Sequence, residues 1–345
     1  MYKELPVPDF FDPVSVGQVW RVPYQERARQ AEEWARLHRI PPASRDEARI
    51  CLMCIDVQNT FCLPDFELFV AGRSGRGAVE DNVRLCRFIY RNLGTITEID
   101  PTLDTHTAIH IFHQIFWVNE RGEHPAPFTV LSLEEVERGA WHVNPSIAGT
   151  LGAHGHEALE SHALHYLRML SEGRKYPLII WPYHSMLGGI GHALVSSVEE
   201  AIFFHSVARG SQPGFEIKGR NTLTENYSVL RPEVLDTSDG RPIAEKNTEF
   251  IRKLLAFDVV IIAGQAQSHC VAWTIADILN EAPAVAAKVY LLEDCTSPVV
   301  VPGRDFTEDA DAAFDRAADA GMKLVRSTDP MVSWPAIPVP AARQS

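Results

Sequence analysis

Continuous apolar runs alternating with segments of helical period constrain this chain more than any other feature. The runs are 50–58 (ICLMCIDVQ), the stretch leading into 103–106 (LDTH), 177–182 (PLIIWP), 215–219 (FEIKG), 258–265 (DVVIIAGQ) and 288–295 (KVYLLEDC). Helix-like segments lie near 78–93, 191–207, 243–256, 269–281 and 308–321. Strands apolar on both faces, separated by helices, belong to a parallel sheet covered on both sides. The expected architecture is α/β, a three-layer α/β/α arrangement around a mainly parallel six-stranded sheet. In such sheets ligands bind beyond the carboxyl ends of the strands, which directs attention to the residues leaving each strand.

Two regions fall outside the alternation. Residues 1–49 hold one amphipathic stretch, QERARQAEEWARLHRI, expected to pack on the core as an N-terminal extension. Residues 107–175 are too long for a simple crossover and read as an insertion over the site or at a subunit contact. The main domain is expected over 50–328, with 329–345 a C-terminal tail.

The formal net charge of -13 disfavours nucleic acid and anionic membranes as partners. The opening residues lack the pattern of a secretory leader, and no apolar run is long enough to cross a bilayer. The six cysteines (Cys51, Cys54, Cys62, Cys86, Cys270 and Cys295) are scattered through expected strands and helices. Free thiols in a cytoplasmic protein suit that scatter better than a disulfide framework. Cys51 and Cys54 form a CxxC inside a strand and read as small apolar residues.

The strand exits carry the chemistry. They present Asp56, then Asp104 and His106, then Trp181 and His184, then Lys218, and finally Gln265-Ala266-Gln267-Ser268-His269-Cys270. Each has a plain structural reading: a lone cysteine at a helix start, an aspartate capping a turn, a solvated lysine. Together at one sheet edge they read as an acyl-transfer site. A helix N-terminus and a nearby ammonium lower a thiol pKa. A carboxylate takes the thiol proton and returns it to a leaving amine. Backbone N–H groups of the same turn face a developing oxyanion. Two histidines and a carboxylate suit zinc, iron or manganese, and an Asp-x-His on an extended segment puts both side chains on one face.

These motifs resemble the isochorismatase-like cysteine hydrolases, and within them the nicotinamidases, over about 50–328. Asp-x-Gln-x-x-Phe is met by Asp56, Gln58 and Phe61, Asp-x-His by Asp104 and His106, and Trp-Pro-x-His by Trp181, Pro182 and His184. The lysine motif is met by Lys218, Gly219, Glu225, Tyr227 and Ser228, and His-Cys-Val by His269, Cys270 and Val271. The resemblance implies a catalytic triad of Asp56, Lys218 and Cys270, and a cis bond between Gln265 and Ala266 that aims N–H groups, with that of Cys270, at the oxyanion. It implies a divalent metal, zinc foremost with iron or manganese as alternatives, on Asp104, His106 and His184. Phe61 and Trp181 would flank an aromatic ring, with Glu225 and Tyr227 lining the same substrate pocket.

The expected reaction is hydrolysis of a small amide to carboxylate and ammonia through a thioester, by a homo-oligomer. Ser185, Ser268 and the His106–His113 segment depart from the common nicotinamidase pattern. An isochorismatase and an N-carbamoyl or ureido amidohydrolase stay open as alternatives, and a non-catalytic binding protein on this scaffold is the reading from another class. His110, His113 and His124 are read as packing or pocket-lining residues. His154, His156, His162 and His165 are read as the solvated face of a surface helix.

Overall fold

The computed structural model describes residues 4–151, 155–173, 175–301 and 303–338. A six-stranded sheet is built from β1 (Ile50–Ile55), β2 (Glu98–Asp104), β3 (Glu216–Lys218), β4 (Val259–Gly264), β5 (Val289–Leu292) and β6 (Lys323–Val325), in the order β6-β5-β4-β1-β2-β3. The pairings β1–β2, β1–β4, β4–β5 and β5–β6 are parallel. The register sets Ile55 opposite Gly264.

Both faces of the central strands are buried, as their unbroken apolar sequences require. On one face Ile50, Leu52 and Cys54 of β1 and Val259, Ile261 and Ala263 of β4 share a core with α2 (Gly77–Arg91) and α4 (Ser196–Arg209). The alternate residues Cys51, Met53, Ile55, Val260 and Ile262 are equally buried on the other face. Helix α6 (Ala272–Glu281) packs with α7 (Thr307–Asp319). Sheet and helices make the expected three-layer α/β/α fold.

The amphipathic N-terminal stretch forms α1 (Tyr24–His38), which packs on α4. Arg27 pairs with the buried Glu200, and Tyr24 stacks edge-on against Phe203. Behind it, the buried Arg209 holds Asp46 at 2.6 Å.

Two strand expectations need correction. Segment 177–182 does not join the main sheet: only Leu178–Ile179 is extended, paired antiparallel with Val130–Leu131. Pro177 and Pro182 bracket it and leave few N–H groups for a ladder. The sixth strand is instead β6, three residues too short to show a period of its own and held by β5.

The chain divides into two compact units. The first comprises Met1–Leu103, Ala193–Glu216 and Thr248–Ser345. The second comprises Asp104–His192 and Ile217–Asn247. The second holds two short antiparallel strand pairs and the helix α3 (Gly155–Glu172). Its core is aromatic, with Trp117, Phe112, Phe116 and Tyr166 buried.

The histidines of α3 are not simply solvated. His162 is buried and its Nε2 donates to Leu223 O at 2.8 Å. His156 bonds Val143 O, and His165 bonds Asp236 at 2.9 Å. His154 lies outside the described residues. A fifth helix of the sequence pattern, α5 (Thr248–Leu255), starts later than its expected position near 243. Among the described residues, no helix is long and apolar enough to cross a membrane.

Candidate active site and metal centre

In the first unit, Asp56 and the segment leading to Cys270 leave adjacent strands at their carboxyl ends. Gln265 N, directly after β4, donates to Ile55 O, directly before Asp56, at 2.7 Å. The close approach requires glycine at 264. Its φ is +118°, and a Cβ there would lie 2.0 Å from Ile55 O. Asp56 is fully buried with φ +46°. Thr102 of β2 fixes it twice: its hydroxyl donates to Asp56 Oδ1 at 2.5 Å and accepts from Asp56 N at 3.1 Å. Thr102 escaped the sequence reading, although its place two residues before Asp104 puts it on the same strand face.

Cys270 lies in a π-helical turn, Gln267–Val271, that runs into α6. It is 8% exposed, and the peptide between Gln265 and Ala266 is cis. His269 beside it is buried, and burial pushes its imidazole down to about 3, so the ring is neutral near pH 7. The Ser268 hydroxyl accepts from Val299 N at 3.0 Å and shares a hydrogen bond with His269 Nδ1 at 2.9 Å. Phe61 sits in a short helix, Asn59–Cys62, and is 8% exposed.

In the second unit, Asp104, His106 and His184 form the one group of three potential metal ligands among the described residues, with ligand atoms all within 4.8 Å of one another. All three are buried. His106 Nδ1–H donates to Gly219 O at 2.9 Å and His184 Nδ1–H to Pro182 O at 2.8 Å. Each backbone acceptor holds Nδ1 and makes Nε2 the nitrogen that a metal would take. Both Nε2 atoms face Asp104 Oδ2, at 2.7 Å from His106 and 3.5 Å from His184.

Two backbone bonds tie the segments carrying the histidines together, His106 N to Ser185 O at 3.0 Å and Leu187 N to His106 O at 2.9 Å. Ser185, with φ +49°, makes the turn that presents its carbonyl. The donor set, two imidazole nitrogens with settled tautomers and one carboxylate, fits a divalent zinc, iron or manganese ion.

The charged groups of the cluster perturb one another. Burial alone would raise the Asp104 carboxyl, but His106 and Lys218 outweigh it and hold it well below the usual carboxylate range. Burial would likewise lower His106, yet the charge of Asp104 raises it. His184 is lowered, chiefly by burial. Lys218 closes the arrangement. Its ammonium donates to Asp104 Oδ1 at 2.9 Å and to Asn226 O at 3.0 Å, and the residue is 5% exposed.

The remaining expected residues of this unit cluster in part. Trp181 Nε1 donates to Tyr227 Oη at 3.0 Å. Glu225 is buried, accepts from Asn226 N at 2.9 Å, and is pushed up by burial to about 7. His110 and His113 pack against His106 with ring centroids 5.0 and 6.0 Å away. Burial pushes their pKa values down to about 3 and about 2, so both are neutral packing partners. His124 bonds Trp117 O instead. Sequence reasoning missed the two carbonyls that set the tautomers. The Lys-Gly and Trp-Pro-x-His motifs contain them, but a backbone acceptor leaves no side-chain signature.

No protein-family model and no curated protein matches the chain. Solved structures do. A nicotinamidase/pyrazinamidase of Acinetobacter baumanii superposes with a TM-score of 0.50 at 19% identity, covering 83% of this chain and 99% of its own. The yeast nicotinamidase matches with a TM-score of 0.49 at 18% identity, covering 80% of this chain and 99% of its own. The likeness to the Acinetobacter structure is one of fold.

Proposed function

We propose that this chain is a cysteine-dependent hydrolase of a small amide, of the nicotinamidase type, with Cys270 as nucleophile. The observation that carries the reading is the pairing of β1 with β4. It delivers a fully buried carboxylate, Asp56, and the turn opening the Cys270 helix from adjacent strand ends. A carboxylate and a thiol carried on segments that leave adjacent strand ends are the parts of proton exchange during acyl transfer.

In the proposed reaction Asp56 accepts the Cys270 proton and the thiolate attacks the amide carbonyl. N–H groups of the Gln265–Cys270 turn hold the oxyanion. Ammonia leaves with the proton from Asp56, and water then hydrolyses the thioester to the carboxylate. Lys218 completes the triad by favouring the anionic partners. Phe61, Trp181, Glu225 and Tyr227 are assigned to substrate binding.

Asp104, His106 and His184 would hold the metal, for which zinc is the first choice. Such an ion supplies an electrophilic anchor for a substrate heteroatom. The protein's own contribution there is orientation: Gly219 O and Pro182 O keep both imidazoles pointed at Asp104 Oδ2. Six buried cysteines outside any disulfide suit a reducing cytoplasm, and self-association of the chain is part of the same reading. Ammonia release from nicotinamide by the purified protein, with its metal content measured on the same sample, tests the proposal. Stoichiometric zinc with ammonia release is expected; a metal-replete protein that releases none refutes it.

A further inference from the structure

A buried polar network in the first unit reaches the proposed catalytic turn from a distant part of the chain. Asp81, at the end of the first turn of α2, is 2% exposed. Its Oδ2 accepts from Gln265 Nε2 at 2.9 Å, and its Oδ1 accepts from Arg84 at 2.8 Å. The Ser297 hydroxyl is a further partner of the same carboxylate. Gln265 in turn accepts from Ser297 N through its Oε1 at 3.3 Å.

The segment carrying Cys270 is laced to the chain around Ser297 at three further points. Gly264 N donates to Cys295 O at 3.0 Å, Gln267 N to Ser297 O at 2.8 Å, and Val299 N to Ser268 Oγ at 3.0 Å. Ser297 is itself pressed against the start of α2: a Cβ at Gly77 would lie 2.5 Å from its Oγ. The Asp81 carboxylate is thus the point where α2, the 295–299 segment and the Gln265 carboxamide meet.

Burying a carboxylate is costly, and apolar packing of the same volume would serve stability as well or better. What a satisfied polar network supplies is a single geometry. Asp81 Oδ2 and Ser297 N hold the two ends of the Gln265 carboxamide, and with it the turn that the hydrolase reading assigns to the oxyanion. We propose that Asp81 is a positioning residue for that turn, acting through Gln265; the catalytic half of this inference rests on the hydrolase reading above.

The test compares Asp81→Ala, Asp81→Leu and Asp81→Asn in the full chain. Leucine restores volume without acceptors, and asparagine keeps one acceptor. Amide hydrogen exchange is followed for peptides spanning 264–271 and, as reference, 289–292, with kcat and KM for nicotinamide measured alongside. The expected result is faster exchange in 264–271 with 289–292 unchanged. With it comes a fall in kcat of about tenfold or more while KM changes less than about twofold. Asp81→Asn should retain more of both properties than Asp81→Leu.

Equal exchange in all three variants and the wild type overturns the inference, as does Leu matching or exceeding Asn, which is the signature of packing alone. Faster exchange with kcat unchanged per folded molecule also overturns it. If Asp81→Ala does not fold, the Asn and Leu variants make the same comparison. A wild type that releases no ammonia refutes the hydrolase reading, while the exchange pattern still decides whether Asp81 fixes the turn.

Discussion

Replacing Gly219 by alanine probes the candidate metal centre without replacing any of its three ligands. Gly219 has φ +79°, where an L-residue is strained by about 1–2 kcal/mol. A Cβ at this position would lie 2.7 Å from His106 Cε1, 2.8 Å from Asp104 Oδ1 and 3.1 Å from His106 Nδ1. Ordinary contacts begin near 3.4 Å, so the imidazole and the carboxylate must each retreat by more than half an ångström. That retreat pulls His106 Nδ1 off the Gly219 carbonyl that sets its tautomer. Loss of such an orienting contact weakens metal binding by about 10- to 100-fold, or roughly 1.4–2.7 kcal/mol.

Gly188→Ala is the matched control. Its φ is +82°, but no atom lies within 4 Å of the added Cβ, so it carries the backbone strain alone. Competition with a chromophoric zinc chelator should show weakened binding in Gly219→Ala and wild-type binding in Gly188→Ala. Equal zinc affinity in Gly219→Ala and wild type, within about twofold, refutes the geometry assigned to this centre.

Two further outcomes follow from the first unit. His205 is buried and donates to Ile96 O at 2.9 Å, and burial pushes it down to about 4. A folded-state pKa below the unfolded value means the unfolded chain binds the extra proton. The stability is therefore complete above the unfolded pKa of about 6.5 and falls as pH drops toward 4. His205→Gln keeps a donor for Ile96 O, so urea denaturation should show the wild type losing about 2 kcal/mol more than the variant between pH 7 and pH 5. Parallel losses would refute the assignment. Gly264→Ala should abolish folding, a cost above about 4 kcal/mol, because two hydrogen-bonded strand backbones would have to separate. A soluble variant with native circular dichroism and near wild-type melting would contradict that.

The legibility of the fold tracked burial. β1, β4 and β5 are read correctly from sequence because strands buried on both faces have unbroken apolar runs. Segment 177–182 has the same composition but owes its burial to the second unit, where it pairs with Val130–Leu131. β6 shows no pattern because three residues cannot display a period, and its extension is imposed by β5.

Among candidate site residues, the sequence marked the polar side chains at the strand exits. It could not mark what orients them. Thr102 meets Asp56 from 46 positions away, Asp81 meets Gln265 from 184 away, and the carbonyls of Gly219 and Pro182 have no side-chain identity. His162 read as solvated because helix α3 is polar in sequence, yet Leu223 supplies a buried acceptor for its ring.

The claim on which the functional account depends is that the Cys270 sulfur forms the bond to the substrate carbonyl. Ammonia release from nicotinamide by wild type and by Cys270→Ala, compared at equal folded concentration and equal metal content, tests it most directly. The account predicts release by the wild type and only the uncatalysed background from the variant. A Cys270→Ala protein that hydrolyses the amide at the wild-type rate would contradict it.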